Sequence, residues 1–174
     1  MPPRHSRTLA EIKQTRPFRS VAQEATIALL RTASVVNRTM QRLLEPWSLS
    51  LAQYNALRIV RGAGAQGITT LAVRERMIEE GTPITRILDK LEAGGYLRRE
   101  RSTHDRRAVL CYVTDEGRRL LAEIDPLADA TDDEAVAVLA DSELETFIAL
   151  LDAIRLHNSE RAAPRTMVRA ESVL

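Results

Sequence analysis

The chain is predicted to be mainly helical with one small β-hairpin, an α+β arrangement. Three observations predict it. Apolar residues recur at helical spacing, as at Ile84, Ile87, Leu88 and Leu91, which gives a helix one buried stripe. Aromatic residues are only 3% of a chain that is 44% hydrophobic, which disfavours a β-sandwich and suits helices rich in Leu, Ala and Ile. The segment Ala108 to Thr114 alternates instead, with Val109, Cys111 and Val113 on one face and Leu110 and Tyr112 on the other. At 174 residues, one domain with an ordinary core is expected.

Residues 1–17 are polar, with Pro2, Pro3 and Pro17, and read as an arm with one short turn around Leu9 to Ile12. From Ser20 to Leu44 the apolar positions Val21, Ala25, Ala28, Leu29, Val35, Val36, Met40 and Leu43 follow helical spacing, and Pro46 ends this first long helix. Ser50 caps a second helix through Val60, with Leu51, Tyr54, Leu57 and Val60 toward the core. Gly62 to Gly67 is a literal G-x-G-x-x-G. A dinucleotide site there needs a preceding strand and an acid about 20 residues on. The segment before it reads as helix and no acid is suitably placed, so it is a loop. Thr69 or Thr70 caps a third helix, Leu71 to Ile78. Thr82 and Pro83 read as N-cap and first position of a fourth helix, which runs to Ala93 and stops at Gly94-Gly95.

The hairpin strands are Tyr96 to Arg101 and Ala108 to Thr114, joined by the polar stretch Ser102 to Arg107. Thr114 caps a fifth helix carrying Leu120, Leu121, Ile124 and Leu127, with Pro126 as a kink or break. Asp141 or Ser142 caps a last helix with Leu144, Phe147, Ile148, Leu151 and Ile154, and Ser142-x-x-Glu145 matches a capping box. Beyond His157 the chain is a polar tail.

The net charge of +1 says little, but its distribution says more. Leu120 to Ile154 holds ten acidic residues and no Lys or Arg, whereas Leu51 to Arg119 holds thirteen basic against nine acidic. The basic middle can face a polyanion and the acidic part should sit away from it. No run of about 18 apolar residues exists to span a membrane, and the N-terminus lacks the apolar core of a secretory signal. With one cysteine, Cys111, no intrachain disulfide forms, and a cytoplasmic location is expected. Cys111 reads as a small buried hydrophobe. His5, His104 and His157 lie far apart, no group has metal-ligand spacing, and no nucleophile, P-loop or paired-carboxylate signature appears. No enzyme, metal or cofactor is expected.

What remains is a helix with a hydroxyl-and-arginine face, followed by an arginine-rich hairpin. Such a helix fits the DNA major groove, and such a hairpin reaches phosphates or the minor groove. The candidate contacts on the helix are Thr82, Pro83, Thr85, Arg86 and Lys90, with Arg86 the best guanine partner because a guanidinium pairs bidentately with O6 and N7. On the hairpin they are Arg98 or Arg99, Arg101, His104, Asp105, Arg106 and Arg107.

The order helix, Gly94-Gly95-Tyr96-Leu97-Arg98-Arg99-Glu100, hairpin, Asp105-x-Arg107, apolar strand, Thr114-x-x-Gly117 resembles the MarR family of bacterial winged helix-turn-helix regulators. Leu49 to Val60 is similar to the family's second helix. The resemblance covers roughly residues 18–158. It implies a winged helix-turn-helix lobe at 49–114 and dimerisation helices at 18–45 and 115–158, flanked by the arm 1–17 and the tail 159–174. It implies Arg107 in the minor groove, with Asp105 bracing either that arginine or the hairpin turn. It also implies a homodimer on a pseudo-palindromic operator, with recognition helices about 34–36 Å apart, and makes Trp47 and Tyr54 candidate pocket residues for a small anionic aromatic effector. The function expected is a transcription regulator, most often a repressor. The alternative is a nonspecific nucleic-acid-binding or protein-interaction module.

Overall fold

The computed structural model describes residues 6–102 and 108–162. Two compact units divide at residue 132. The first opens with a short helix α1 (Arg7–Glu11), whose Ser6 hydroxyl accepts from the Leu9 N–H. Glu11 ties it to α2 through Arg31 at 3.8 Å. Helix α2 (Val21–Leu44) is capped by Ser20, and a 3₁₀ turn containing Pro46 ends it. The Gln41 side chain then bridges the connection, donating to the Leu49 carbonyl and accepting from the Leu51 N–H. Helix α3 (Leu51–Gly62) starts with a full capping box between Ser50 and Gln53, which satisfies two otherwise orphaned N–H groups.

The G-x-G-x-x-G stretch follows a helix, not a strand, and is a turn. Gly67 sits at φ 68° and ψ 178°, a region essentially closed to side chains. A Cβ there would lie 2.5 Å from the Tyr112 ring. We expect Gly67→Ala to destabilise by about 2 kcal/mol. Chemical denaturation tests this, and a loss below about 0.5 kcal/mol would contradict it.

After that turn comes a two-residue strand, β1 (Ile68–Thr69), which sequence periodicity missed. Helix α4 (Thr70–Glu75) is capped by Thr69, not Thr70. It is shorter than expected. Met77 turns into the core, and the Asn55 side chain on α3 takes the Ile78 N–H that a longer helix would use.

Helix α5 (Ile84–Ala93) corrects the expected start. Thr82 is not the N-cap. It is buried, and its hydroxyl donates to the Glu79 carbonyl at 2.6 Å, while Pro83 stands at the cap position. The stop is as expected, with Gly95 at φ 75° and the Tyr96 N–H returning to the Leu91 carbonyl. Strands β2 (Leu97–Arg101) and β3 (Val109–Val113) pair antiparallel, and β1 joins the other edge of β3, giving the order β1-β3-β2.

Helix α6 (Asp115–Val136) begins with Thr114, whose hydroxyl accepts from the Gly117 N–H. Pro126 neither ends it nor divides it. The flanking Ile124 and Ala128 are fully buried and hold the helix in the core across the missing hydrogen bond. Leu44, Leu57, Val60, Val73, Leu88, Leu91, Leu97, Cys111 and Leu121 belong to the same core. No described helix is long and apolar enough to cross a membrane.

The second unit contains α7 (Asp141–Ala162). The expected Ser142–Glu145 box does not form. The helix starts at Asp141, and it is Glu143 that reaches back to the Ala140 N–H. Among its described side chains Phe147, Ile148, Leu150, Ile154 and Leu156 are exposed.

Candidate nucleic-acid interface

Helix α5 is divided cleanly. Ile84, Ile87, Leu88 and Leu91 are buried, and the helix packs on α3. Pro83, Thr85, Arg86, Asp89 and Lys90 face outward. Arg86 and Lys90 have no ion pair among the described residues. The acids of the same helix do. Glu92 accepts from the Arg99 backbone N–H at 3.0 Å, from its Nε at 2.9 Å and from a terminal nitrogen at 2.6 Å, and Asp89 accepts from the last at 2.6 Å. The bonds from Arg99 hold the Glu92 carboxyl below its ordinary range and raise the guanidinium in turn. This leaves the outward face of α5 with cations unspent and carboxylates neutralised, as a surface meeting phosphates requires.

Arg98 and Arg99 are alternative phosphate contacts by sequence, and the strand sets them apart. Arg99 is half-buried and clamps the end of α5 to β2. Strand parity carried the signal, since Leu97 is buried and Arg99 shares its side of the strand. Arg98 faces outward, paired with Glu100 and stacked 4.4 Å from the centre of its cross-strand neighbour, the Tyr112 ring. Arg101 is exposed at the end of β2. His104, Asp105, Arg106 and Arg107 lie outside the described residues.

An open groove of about 540 Å³ runs beside this face. Thr69, Thr70, Leu71 and Arg74 from the α4 side, Ile84 and Thr85 from α5, and Ala108 and Val109 from the hairpin line it. Arg74 was missed from the sequence. Its spacing of four from Thr70 places both on one face of α4, a signal that was available.

Trp47 and Tyr54 each donate to a carboxylate of α6. Trp47 donates to Glu123 at 3.4 Å, and the Tyr54 hydroxyl donates to Asp125 at 2.8 Å. Burial and then the Asp125 hydrogen bond push the Tyr54 phenol up to about 12, the nearby Arg58 opposing them. A raised folded-state value favours the protonated phenol. Its contribution is whole below pH about 10 and is lost between about 10 and 12, as the unfolded chain ionises first. Wild-type stability should fall across that window by up to about 2 kcal/mol more than that of Tyr54→Phe. Equal slopes in alkaline denaturation series would contradict it. Cys111 is fully buried, and burial raises its thiol, which fits a packing role.

Residues 49–109 match the model described as the MarR family. The chain is 30% identical over 103 residues to the transcriptional regulator HosA of Escherichia coli O157:H7, covering 59% of this chain and 75% of HosA. It is 31% identical to a MarR transcription factor from Planctomyces limnophilus of known structure, with a TM-score of 0.60, covering 79% of this chain and 99% of that one. It also shares its fold with a mutant E. coli MarR crystallised with operator DNA, at 23% identity and a TM-score of 0.67 over 73% of this chain and 90% of that one. With a helix-turn-helix at α4 and α5, a hairpin wing at β2 and β3, and these likenesses, the chain belongs to the MarR family of winged-helix, DNA-binding transcriptional regulators.

Proposed function

We propose that the protein is a homodimeric, sequence-specific repressor that binds a pseudo-palindromic operator and is released by a small ligand. The observation that carries the DNA part is the outward face of α5, where Thr85, Arg86 and Lys90 are exposed while Arg99 neutralises Asp89 and Glu92. Arg86 reads a base, and Lys90, Arg98, Arg101 and Arg74 meet phosphates. Thr82, buried and spent on Glu79, drops out of the contact set. The wing tip, with Arg107 in the minor groove and Asp105, His104 and Arg106 around it, keeps the roles the family resemblance implies. The operator-bound E. coli relative supports this mode of binding.

The dimer reading rests on faces that one copy leaves bare. On α2 these are Val21, Leu30, Val35 and Val36, and on α7 they are Phe147, Ile148, Leu150, Ile154 and Leu156. Apolar area of this kind marks an association surface. Release by a ligand, anionic and aromatic by the resemblance, requires unequal affinity for two dimer shapes.

The test is a fluorescence-anisotropy titration of the full chain with the duplex adjoining its own gene and with genome-derived fragments. It runs at several salt concentrations, with and without excess random duplex. Binding that survives the competitor supports the reading, and the salt slope counts phosphate contacts. Binding abolished by competitor on every fragment means a nonspecific nucleic-acid module instead.

A further inference from the structure

Three side chains on α3, Tyr54, Arg58 and Arg61, are spaced by four and three residues and so share one helix face. All three converge on one carboxylate of α6. Asp125 accepts from the Tyr54 hydroxyl at 2.8 Å and from Arg61 at 2.5 Å, and Arg58 stands 4.0 Å away, its guanidinium 5.5 Å from the Tyr54 ring centre. Asp129, one turn on, is the other acid that acts on Tyr54. The Asp125 side chain is about one-fifth exposed, so these bonds are only partly screened. The Trp47–Glu123 bond adds a second fastening from the α2–α3 connection to the same helix.

The location gives this cluster its meaning. On one side, α3 packs directly against the recognition helix α5 and against β3. On the other, α6 buries its last side chain at Ala128 and continues to Val136 with none buried. Among the described residues, Asp125 is thus the last of α6 to hydrogen-bond the helix that carries α5 before that stem leaves the core.

We propose that Asp125 is a positioning residue for operator reading: its bonds to Tyr54 and Arg61 fix the angle between α6 and the α3–α5 pair, and so fix the spacing at which two recognition helices are presented. The proposal rests on the homodimer reading above. Close packing resists a change in this angle, but apolar contacts carry no direction of their own, and hydrogen bonds to a carboxylate add it. A small rotation at the tie, carried along α6, becomes a displacement of α5 relative to its dimer mate.

The experiment uses the full chain as wild type, Asp125→Asn, Asp125→Glu and Tyr54→Phe. Sedimentation gives the oligomeric state of each. Anisotropy then compares the preferred operator with versions carrying one or two extra base pairs between half-sites, each shifting a half-site by roughly 3.4 Å and 34°. Wild type should lose about tenfold or more in affinity for the expanded sites. Asp125→Asn should lose about threefold or less, because its loosened joint accommodates them. Tyr54→Phe removes one bond and should fall between. Asp125→Glu, which keeps the charge, should recover most of the discrimination. A role in stability alone would lower Tm and leave the spacing preference intact, and a dimeric Asp125→Asn and Tyr54→Phe with wild-type discrimination would overturn the proposal. A monomeric wild type overturns the homodimer reading and the proposal with it, so the two failures are distinguishable.

Discussion

Gly117→Ala should cost about 3 kcal/mol or more, lowering Tm by roughly 6–12 °C. Gly117 has no unusual backbone angle to excuse it, since it lies in the first turn of α6. What it lacks is space. An added Cβ would stand 2.1 Å from the Tyr96 carbonyl oxygen and 2.9 Å from the Val113 Cγ2. A clash with a flexible side-chain tip relaxes cheaply, but this one is with backbone. That carbonyl is itself fixed, accepting the Thr114 N–H at 3.1 Å. Thr114 is fixed in turn, its hydroxyl donating to the Gly95 carbonyl at 2.7 Å and accepting from the Gly117 N–H at 3.0 Å. Relief must move the start of α6 away from the end of α5 and the start of β2. The variant should therefore lose DNA affinity along with stability. Gly62→Ala is the control, because it adds a Cβ to the last residue of α3 with nothing within 4 Å, and it should stay within about 1 kcal/mol of wild type. Thermal and chemical denaturation of both variants decide the matter. If the two behave alike, close approach is not what this glycine provides.

Gly117 was visible in the sequence as the end of Thr114-x-x-Gly117, but only as a helix start. Nothing in the spacing says that a carbonyl twenty-one residues earlier in the chain fills the place of a side chain. The same divide runs through the other elements. The stripes of α2, α3, α5 and α6, the Gly94-Gly95 stop and the loop at Gly62 to Gly67 were legible because each follows from residues within a turn or two. Thr82 was misread because a threonine hydroxyl before a proline can turn forward to the helix or back to a carbonyl, and here it turns back to Glu79. The strand β1 was invisible because two residues have no period, and its partner is Cys111, far along the chain. The candidate site was half legible. Arg86 and Lys90 are outward, as the stripe of α5 required. Arg99 looks like its neighbours until Glu92 and Asp89 are brought alongside it.

That contrast makes Arg86→Ala and Arg99→Ala fail in different ways. Arg86 is exposed and unpaired among the described residues, so its loss should leave stability within about 0.5 kcal/mol of wild type. Operator affinity should fall by about 1–3 kcal/mol, with relaxed preference at the base pair it reads. Arg99→Ala should lower stability by about 1 kcal/mol, the worth of several charge-assisted bonds discounted for their partial exposure. It should weaken binding by another route, because Asp89 and Glu92 then stand as bare carboxylates beside the DNA-facing surface. Neutralising them tests that route. Adding Asp89→Asn and Glu92→Gln should restore much of the affinity lost in Arg99→Ala, since the repulsion goes with the charges. The same pair added to Arg86→Ala should leave its base preference relaxed, because no donor has returned to the groove. Anisotropy titrations on the preferred operator and on single-base variants separate the cases. If Arg86→Ala, folded, binds them as wild type does, base reading does not run through this arginine. If the double neutralisation leaves Arg99→Ala as weak as before, Arg99 meets DNA directly, and its clamp on Glu92 is not its main contribution to binding.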